Sequence, residues 1–476
     1  MKPTVPPGQR PSRRTTIVAT MIGNALEFFD FTVFGFLAIL IGKLFFPTFS
    51  GYGQLLLAAA SFGVGFIARP LGGIMIGAYA DRAGRKKAMT LTIYLMALGC
   101  ALIAVSPTYA QIGVAAPIII VVARLLQGFS AGGEVGASTA LLVEHATPRS
   151  RCYMASWQIA SQGLGVALGA LVVAGLSSAL GPQAMESWGW RVPFVLGLLI
   201  APVGMYIRRR LHETFHAEAP AAGSPRRGGF AELWSEHRTS VLAATLSSLG
   251  PAVATFVMAF YLPTYAIREL GLPPSIALAA AALNGLLAFA GAPLAGRWSD
   301  RLGRRKPLIV WSRVGVVLLI YPSFMWLNAA PTPAVLFTVT AVLGVLQVIQ
   351  AAPAFTMLPE MFPKHIRASG MALVYSVGVS IFGGFSPFIS TWLVSSTGSK
   401  LAPAAYMVVM TLLSLLGLRW LRDHGSHDID ATPLPATRPP SEDPDPCAIQ
   451  NPLPAFPEHT PKHDESSSMP QPIVTQ

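Results

Sequence analysis

The chain has 476 residues, 52% of them hydrophobic and only 12% charged, with a mean hydropathy of +0.53. A soluble domain of this size would lack the charged surface that keeps it dispersed, so the composition excludes one and requires a polytopic membrane protein. The formal charge of +12 lies in short loops between apolar runs rather than on one continuous surface, which excludes a nucleic-acid partner.

The first apolar run, Ile17 to about Ile41, is interrupted only by Thr20, Asn24, Glu27, Asp30 and Thr32. At 1.5 Å rise it covers a hydrocarbon core of ~30 Å, and it is too long and too acidic for a signal-peptide h-region. Asn24, Glu27 and Asp30 recur at i, i+3, i+6 and share an arc of ~120° that cannot face lipid. Carboxylates at bilayer depth are costly, and they mark solute or ion pathways. Glu27 lies ~15 Å into the run, near the midplane, where a low dielectric makes proton binding accessible near neutral pH. Asp30, ~4.5 Å further along, is a second proton carrier or the partner of an arginine. A structural polar network is the rival reading for this stripe.

Further apolar runs near 54–79, 88–108, 114–137, 153–179, 192–209, 240–266, 276–298, 307–327, 333–357, 368–394 and 403–421 bring the spans to twelve. With the N-terminus inside, the cytoplasmic segments collect nearly all Lys and Arg, and the opposite side receives only Lys43, Arg191, Arg268 and Lys400. That bias supports an even span count with both termini cytoplasmic. The division is therefore an N-terminal segment 1–16, a six-helix bundle 17–210, a polar connector 211–239, a second six-helix bundle 240–421 and a Pro-rich tail 422–476 expected to be disordered.

The halves are duplicated. GAYADRAGRKK at 77–87 and GRWSDRLGRRK at 296–306 share one spacing, each in the loop after the second span of its half. Gly84 and Gly303 supply a permissive turn position. Asp81 and Asp300 sit where a carboxylate can accept bonds from neighbouring helix N-termini or pair with arginine, and Arg82, Arg85, Arg301 and Arg304 anchor the loop to the cytoplasmic leaflet. These loops read as gates closing the cytoplasmic side. Two duplicated bundles around a central site match alternating access.

Arg124, ~15 Å into the fourth span, stands at the depth of Glu27 and reads as its countercharge or as a bidentate clamp on a substrate carboxylate. Gln127 follows one turn later. For Arg69, ~22 Å into the second span, snorkelling and a cavity role compete, and for Arg313 in the ninth span snorkelling is favoured. Gln158 and Gln162 stand at i, i+4 on the fifth span, and Tyr261 and Tyr265 flank Pro263 on the seventh; with Asn24 they complete a candidate binding surface. If the acids are protonated during loading, the site suits a carboxylate; if they stay ionised, a quaternary amine or zwitterion. These residues alone leave that open.

The spans carry no nucleophile–base or metal-ligand set, since His145, His212, His237 and His365 fall in loops and Cys100, Cys152 and Cys447 are scattered. No Walker-type loop exists, so no nucleotide or other cofactor is expected and the chain is not read as an enzyme.

The two DRxGR[KR]K loops and RLLQGFSAGGE at 124–134 resemble the major facilitator superfamily. GNALEFFDF at 23–31, ARPLGG at 68–73, SAGGEVG from Ser130 and ASWQIASQ from Ala155 resemble its metabolite:proton symporters, and YLPTY at 261–265 with IFGGFSPFIS at 381–390 is similar to the citrate and tricarballylate symporters among them. Phe28 departs from the Trp that many relatives carry, and the tail has no counterpart. The resemblance implies symport of a small organic acid anion with protons across the inner membrane, driven by the proton gradient, by a protein working as a monomer. It assigns Glu27, Asp30 and Arg124 to coupling or binding. Relatives that move proline or betaine keep a zwitterionic osmolyte as the alternative cargo, and an anion exchanger or exporter as the alternative mode.

Overall fold

A computed structural model describes residues 13–47, 49–83, 85–132, 146–199, 202, 229–363, 366–421 and 423. Gly84, Glu134, most of the connector and nearly all of the tail lie outside the described residues, as do the side chains of Asp81, Arg82 and Arg85.

The described chain is helical throughout. The first half runs α1 (Arg13–Phe36), α2 (Ala38–Phe45), α3 (Gly51–Ala83), α4 (Arg85–Val105), the short α5 (Tyr109–Ile112), α6 (Ala115–Ala131), α7 (Arg151–Ser187) and α8 (Val192–Gly197). The second runs α9 (Gly229–Glu236), α10 (Arg238–Phe256), α11 (Leu262–Arg268), α12 (Pro274–Leu302), α13 (Lys306–Ala329), α14 (Pro333–Glu360), α15 (Arg367–Val374), α16 (Ser386–Thr397) and α17 (Ala402–Trp420).

Among the described residues, eight helices are long and apolar enough to cross a membrane, and the α1–α2 pair, bent by 61°, makes a ninth. Thr90–Val105 and Ala115–Ala131 are apolar but shorter. Among the described residues the third and fourth apolar runs enter only as these shorter helices, and the ends of the fourth and sixth lie outside the described residues, so the count falls below the expected twelve. Large apolar side chains such as Trp311, Leu318 and Leu294 point outward and are exposed, the inverse of a soluble fold and the surface that lipid covers.

Two helices are broken by proline in the same way. Pro263 has no N–H for the carbonyl four residues back, and the chain widens to a π-helix over Val257–Tyr261. Pro387 stands four residues after Gly383, where a second π-helical stretch, Tyr375–Gly383, ends. Elsewhere small residues allow helix axes to meet. α3 crosses α6 at Gly65 and Gly128, where a Cβ on Gly128 would overlap the carbonyl of Gly65. α7 meets α12 at Gly163 and Gly285, where a Cβ on Gly163 would stand 2.6 Å from the Gly285 carbonyl.

Contacts join the halves at both ends. At the end bearing the repeated loop of the second half, Asp300 accepts bonds from the backbone N–H groups of Cys152 (3.1 Å) and Tyr153 (2.8 Å), capping the N-terminus of α7. Gly303 adopts the left-handed conformation (φ 65°) that its place in the motif anticipates. The loop's cations divide differently from expectation: Arg301 and Arg304 are exposed, whereas Arg305 is buried and pairs with Glu360, which also lies 3.9 Å from Arg151. At the opposite end, Arg268 lies over the Tyr52 ring and donates to the Gly51 carbonyl (2.8 Å), and the Tyr52 hydroxyl donates to Glu269 (2.8 Å).

Candidate functional site

The polar stripe of α1 faces inward. Asn24, Glu27 and Asp30 are each no more than 7% exposed, and each engages a different helix. The Asn24 amide donates to the Ser161 hydroxyl (2.6 Å) and the Gln158 carbonyl (3.2 Å) on α7. Glu27 pairs with Arg69 of α3 at 3.4 Å, and Asp30 with Arg124 of α6 at 3.7 Å. The acids and arginines are thus matched differently from the expectation that Arg124 answers Glu27. Equal depth along a helix does not decide partnership; the residues' angular positions on α1 turn Glu27 toward α3 and Asp30 toward α6.

Arg69 does not snorkel, since it is 2% exposed and its guanidinium lies over the rings of Phe31 (4.6 Å) and Phe66 (4.4 Å). Arg124 is similarly enclosed by Phe31 (4.7 Å), Phe34 (4.5 Å) and Phe62 (5.3 Å). Phe31, which follows Asp30 in sequence, is shared by both cations.

Asp30 and Arg124 close a ring with two further groups. The Cys100 thiol donates to Asp30 Oδ1 (3.1 Å), Gln127 Nε2 donates to Cys100 Sγ (3.6 Å), and Arg124 Nη1 donates to Gln127 Oε1 (2.9 Å). Sequence reasoning found Gln127 but missed Cys100, because a single cysteine in an apolar helix reads as a small hydrophobe. The only available signal was its fully buried counterparts on neighbouring helices, which one sequence does not reveal. Nε and Nη2 of Arg124, and Nε and Nη1 of Arg69, have no hydrogen-bond partner among the described residues.

Beside these pairs lies the main cavity, a partly open space lined by residues of both halves. Phe28 and Gln162 reach it from the first half, and Ser247, Asn284, Arg313 and Tyr375 from the second. Tyr375 also interacts with Arg69, Glu27 and Gln162, so it links the cavity wall to the ion pairs. It lies in the π-helical stretch and was missed, since a lone tyrosine in an apolar run carries no motif of its own.

Three expectations are corrected here. Tyr261 and Tyr265 do not line this cavity: the Tyr265 hydroxyl donates to the Lys400 carbonyl (2.9 Å) and accepts from Asn328 (2.7 Å), and its ring packs on Tyr261 and Phe324. Tyr261 ends the π-helical turn and α11 carries Tyr265 toward the loop that holds Lys400, so both rings sit in a separate apolar core. Arg313 does not snorkel, being 1% exposed and hydrogen-bonded to Gln350, Ser247 and the Ser414 carbonyl. Gln158 is buried against Asn24 rather than in the cavity lining, leaving Gln162 as the glutamine of α7 that reaches it. No group of metal-ligating side chains occurs among the described residues.

Helices broken at π-turns, buried ion pairs and a central cavity between two halves define a membrane transport protein rather than an enzyme. The family model described as Major Facilitator Superfamily matches residues 20–291 and 267–457, and the chain belongs to that family. It is 36% identical over 410 residues to a citrate-proton symporter of Klebsiella pneumoniae, covering 86% of this chain and 92% of the relative. It is 34% identical over 415 residues to a glycine betaine/proline/ectoine/pipecolic acid transporter, OusA, of Dickeya dadantii, covering 85% and 82%. Its fold matches that of the xylose transporter XylE of E. coli in a partially occluded inward-open conformation, with a TM-score of 0.69 at 16% identity, covering 87% of this chain and 98% of that one.

Proposed function

We propose that the chain is a proton-coupled symporter of a small organic acid anion, a citrate-like tricarboxylate or a dicarboxylate. The observation that carries this reading is the pair of buried carboxylate–guanidinium contacts, Glu27–Arg69 and Asp30–Arg124, beside the central cavity. When a proton neutralises either acid, its arginine loses its counterion in a medium where an isolated charge is costly. An incoming carboxylate replaces it, held by guanidinium N–H groups that the resting pair leaves unused. Proton and anion therefore favour each other's binding, which is the thermodynamic requirement for symport.

In this reading Glu27, Asp30 and Arg124 couple, and Arg69, Arg124, Gln127 and Gln162 contact the solute, with Asn24 and Gln158 fixing α1 against α7. Residues 17–210 and 240–421 form two six-helix bundles that rock about the cavity. The DRxGR[KR]K loops, through Asp81 and Asp300, latch the cytoplasmic side. The protein sits in the inner membrane with both termini cytoplasmic, acts as a monomer, and needs only the proton gradient and no cofactor.

The likeness to betaine and proline transporters keeps a zwitterion as the second reading. A quaternary ammonium is recognised by aromatic faces; Arg69 and Arg124 cover those of Phe31, Phe34 and Phe66, but Phe28 and Tyr375 line the cavity, so the preference for the anion rests on the buried guanidiniums. The test is uptake of citrate, tricarballylate, α-ketoglutarate, shikimate and betaine into membrane vesicles with and without a proton gradient. Gradient-dependent uptake of a tricarboxylate or dicarboxylate is expected; uptake of betaine with no carboxylic acid would overturn the proposal.

A further inference from the structure

Arg313 is a buried cation that no carboxylate answers among the described residues. It stands on α13 ~10 Å from the helix start, and its side chain is turned wholly inward. Nε donates to Gln350 Oε1 at 2.9 Å, and Nη1 donates to Ser247 Oγ at 3.2 Å and the Ser414 carbonyl at 3.0 Å. All three acceptors are neutral, and none of the ion pairs formed by the described residues includes Arg313. Nη2 takes part in none of these bonds. A guanidinium taken out of water without an anion is retained at a cost of several kcal/mol unless something else compensates it. The same residue lines the main cavity, whose wall also includes Ser247 and Ser248 of α10 and Asn284 of α12.

We infer that Arg313 is an anion-binding residue of the cavity: its free edge takes one carboxylate of the transported acid. The three neutral bonds hold the guanidinium plane in place, so a carboxylate meets a fixed fork rather than a mobile cation. This rests on the organic-anion reading above and supplies the second half's contact with the same solute. Three buried guanidiniums, Arg69, Arg124 and Arg313, then serve the two carboxylates Glu27 and Asp30, so this set of groups is net positive even with both acids ionised. Such a balance selects a polyanion whose carboxylates reach both halves, and it disfavours a zwitterion, whose own cation would meet the surplus charge.

Citrate binding to the purified full-length protein, measured by titration calorimetry at one pH, tests the assignment. R313Q is expected to weaken citrate binding by about tenfold or more, as loss of a charge-assisted contact does. R313K keeps the charge but cannot serve Gln350, Ser247 and a carboxylate together, and is expected to weaken binding by about fivefold. Citrate affinity within about twofold of wild type in R313Q overturns the Arg313 site while leaving the anion reading intact. Should R313Q fail to accumulate, the same result in R313K does so. Wild-type protein that binds glycine betaine and no tricarboxylate overturns the anion reading, and this inference with it.

Discussion

Asp30→Asn probes the buried pair at its most exposed point of logic. Arg124 is fully buried, so water cannot answer its charge once Asp30 is neutral. Removing one member of a buried ion pair costs about 3–5 kcal/mol. An asparagine oxygen still accepts one bond in the ring with Cys100 and Gln127, returning about 1 kcal/mol. The rings of Phe31, Phe34 and Phe62 cover Arg124 in both forms and do not change the difference. The expected loss of stability is therefore about 2–4 kcal/mol, read as lowered thermal unfolding of the purified protein in detergent. The double variant D30N/R124Q removes both charges and is expected to recover most of that loss, while neither variant accumulates solute against a gradient. A D30N protein as stable as wild type and still accumulating solute would refute the reasoning.

Two further variants separate packing from transport. Gly128→Val drives side-chain atoms into the Gly65 carbonyl, and its yield in the membrane is expected to fall severely, whereas Gly23→Ala, where a Cβ meets nothing within 4 Å, should accumulate as wild type. Tyr265→Phe removes the hydroxyl bonds to Lys400 and Asn328, and should lower stability by about 1–2 kcal/mol while leaving the uptake KM within about twofold of wild type. A large KM change in that variant would return Tyr265 to the solute site.

The parts of this molecule that were legible in the sequence are those fixed by local chemistry. The cost of acids in an apolar helix exposed the α1 stripe, and the duplicated motif located Asp300 and the left-handed Gly303. What depends on the rotation of one helix against another was not legible. Depth placed Arg124 level with Glu27, yet the angular positions on α1 gave Arg124 to Asp30 and Arg69 to Glu27. Snorkelling was favoured for Arg313 from its distance to a helix end, and it failed because Gln350, Ser247 and Ser414, on three other helices, offered acceptors inside. Tyr265 was placed by a proline motif, but the helix after the π-turn carries it to the end where Lys400 sits. Arg305 and Glu360 went unremarked because their partnership joins segments far apart in the chain.

The central claim is that proton and organic anion enter together. It is tested most directly by following pH outside vesicles that contain the purified protein, with no imposed gradient, when citrate is added. The account predicts that the medium turns alkaline as citrate enters, by an amount that scales with citrate taken up, and that the alkalinisation disappears in D30N. Citrate entry with no accompanying proton movement would contradict it.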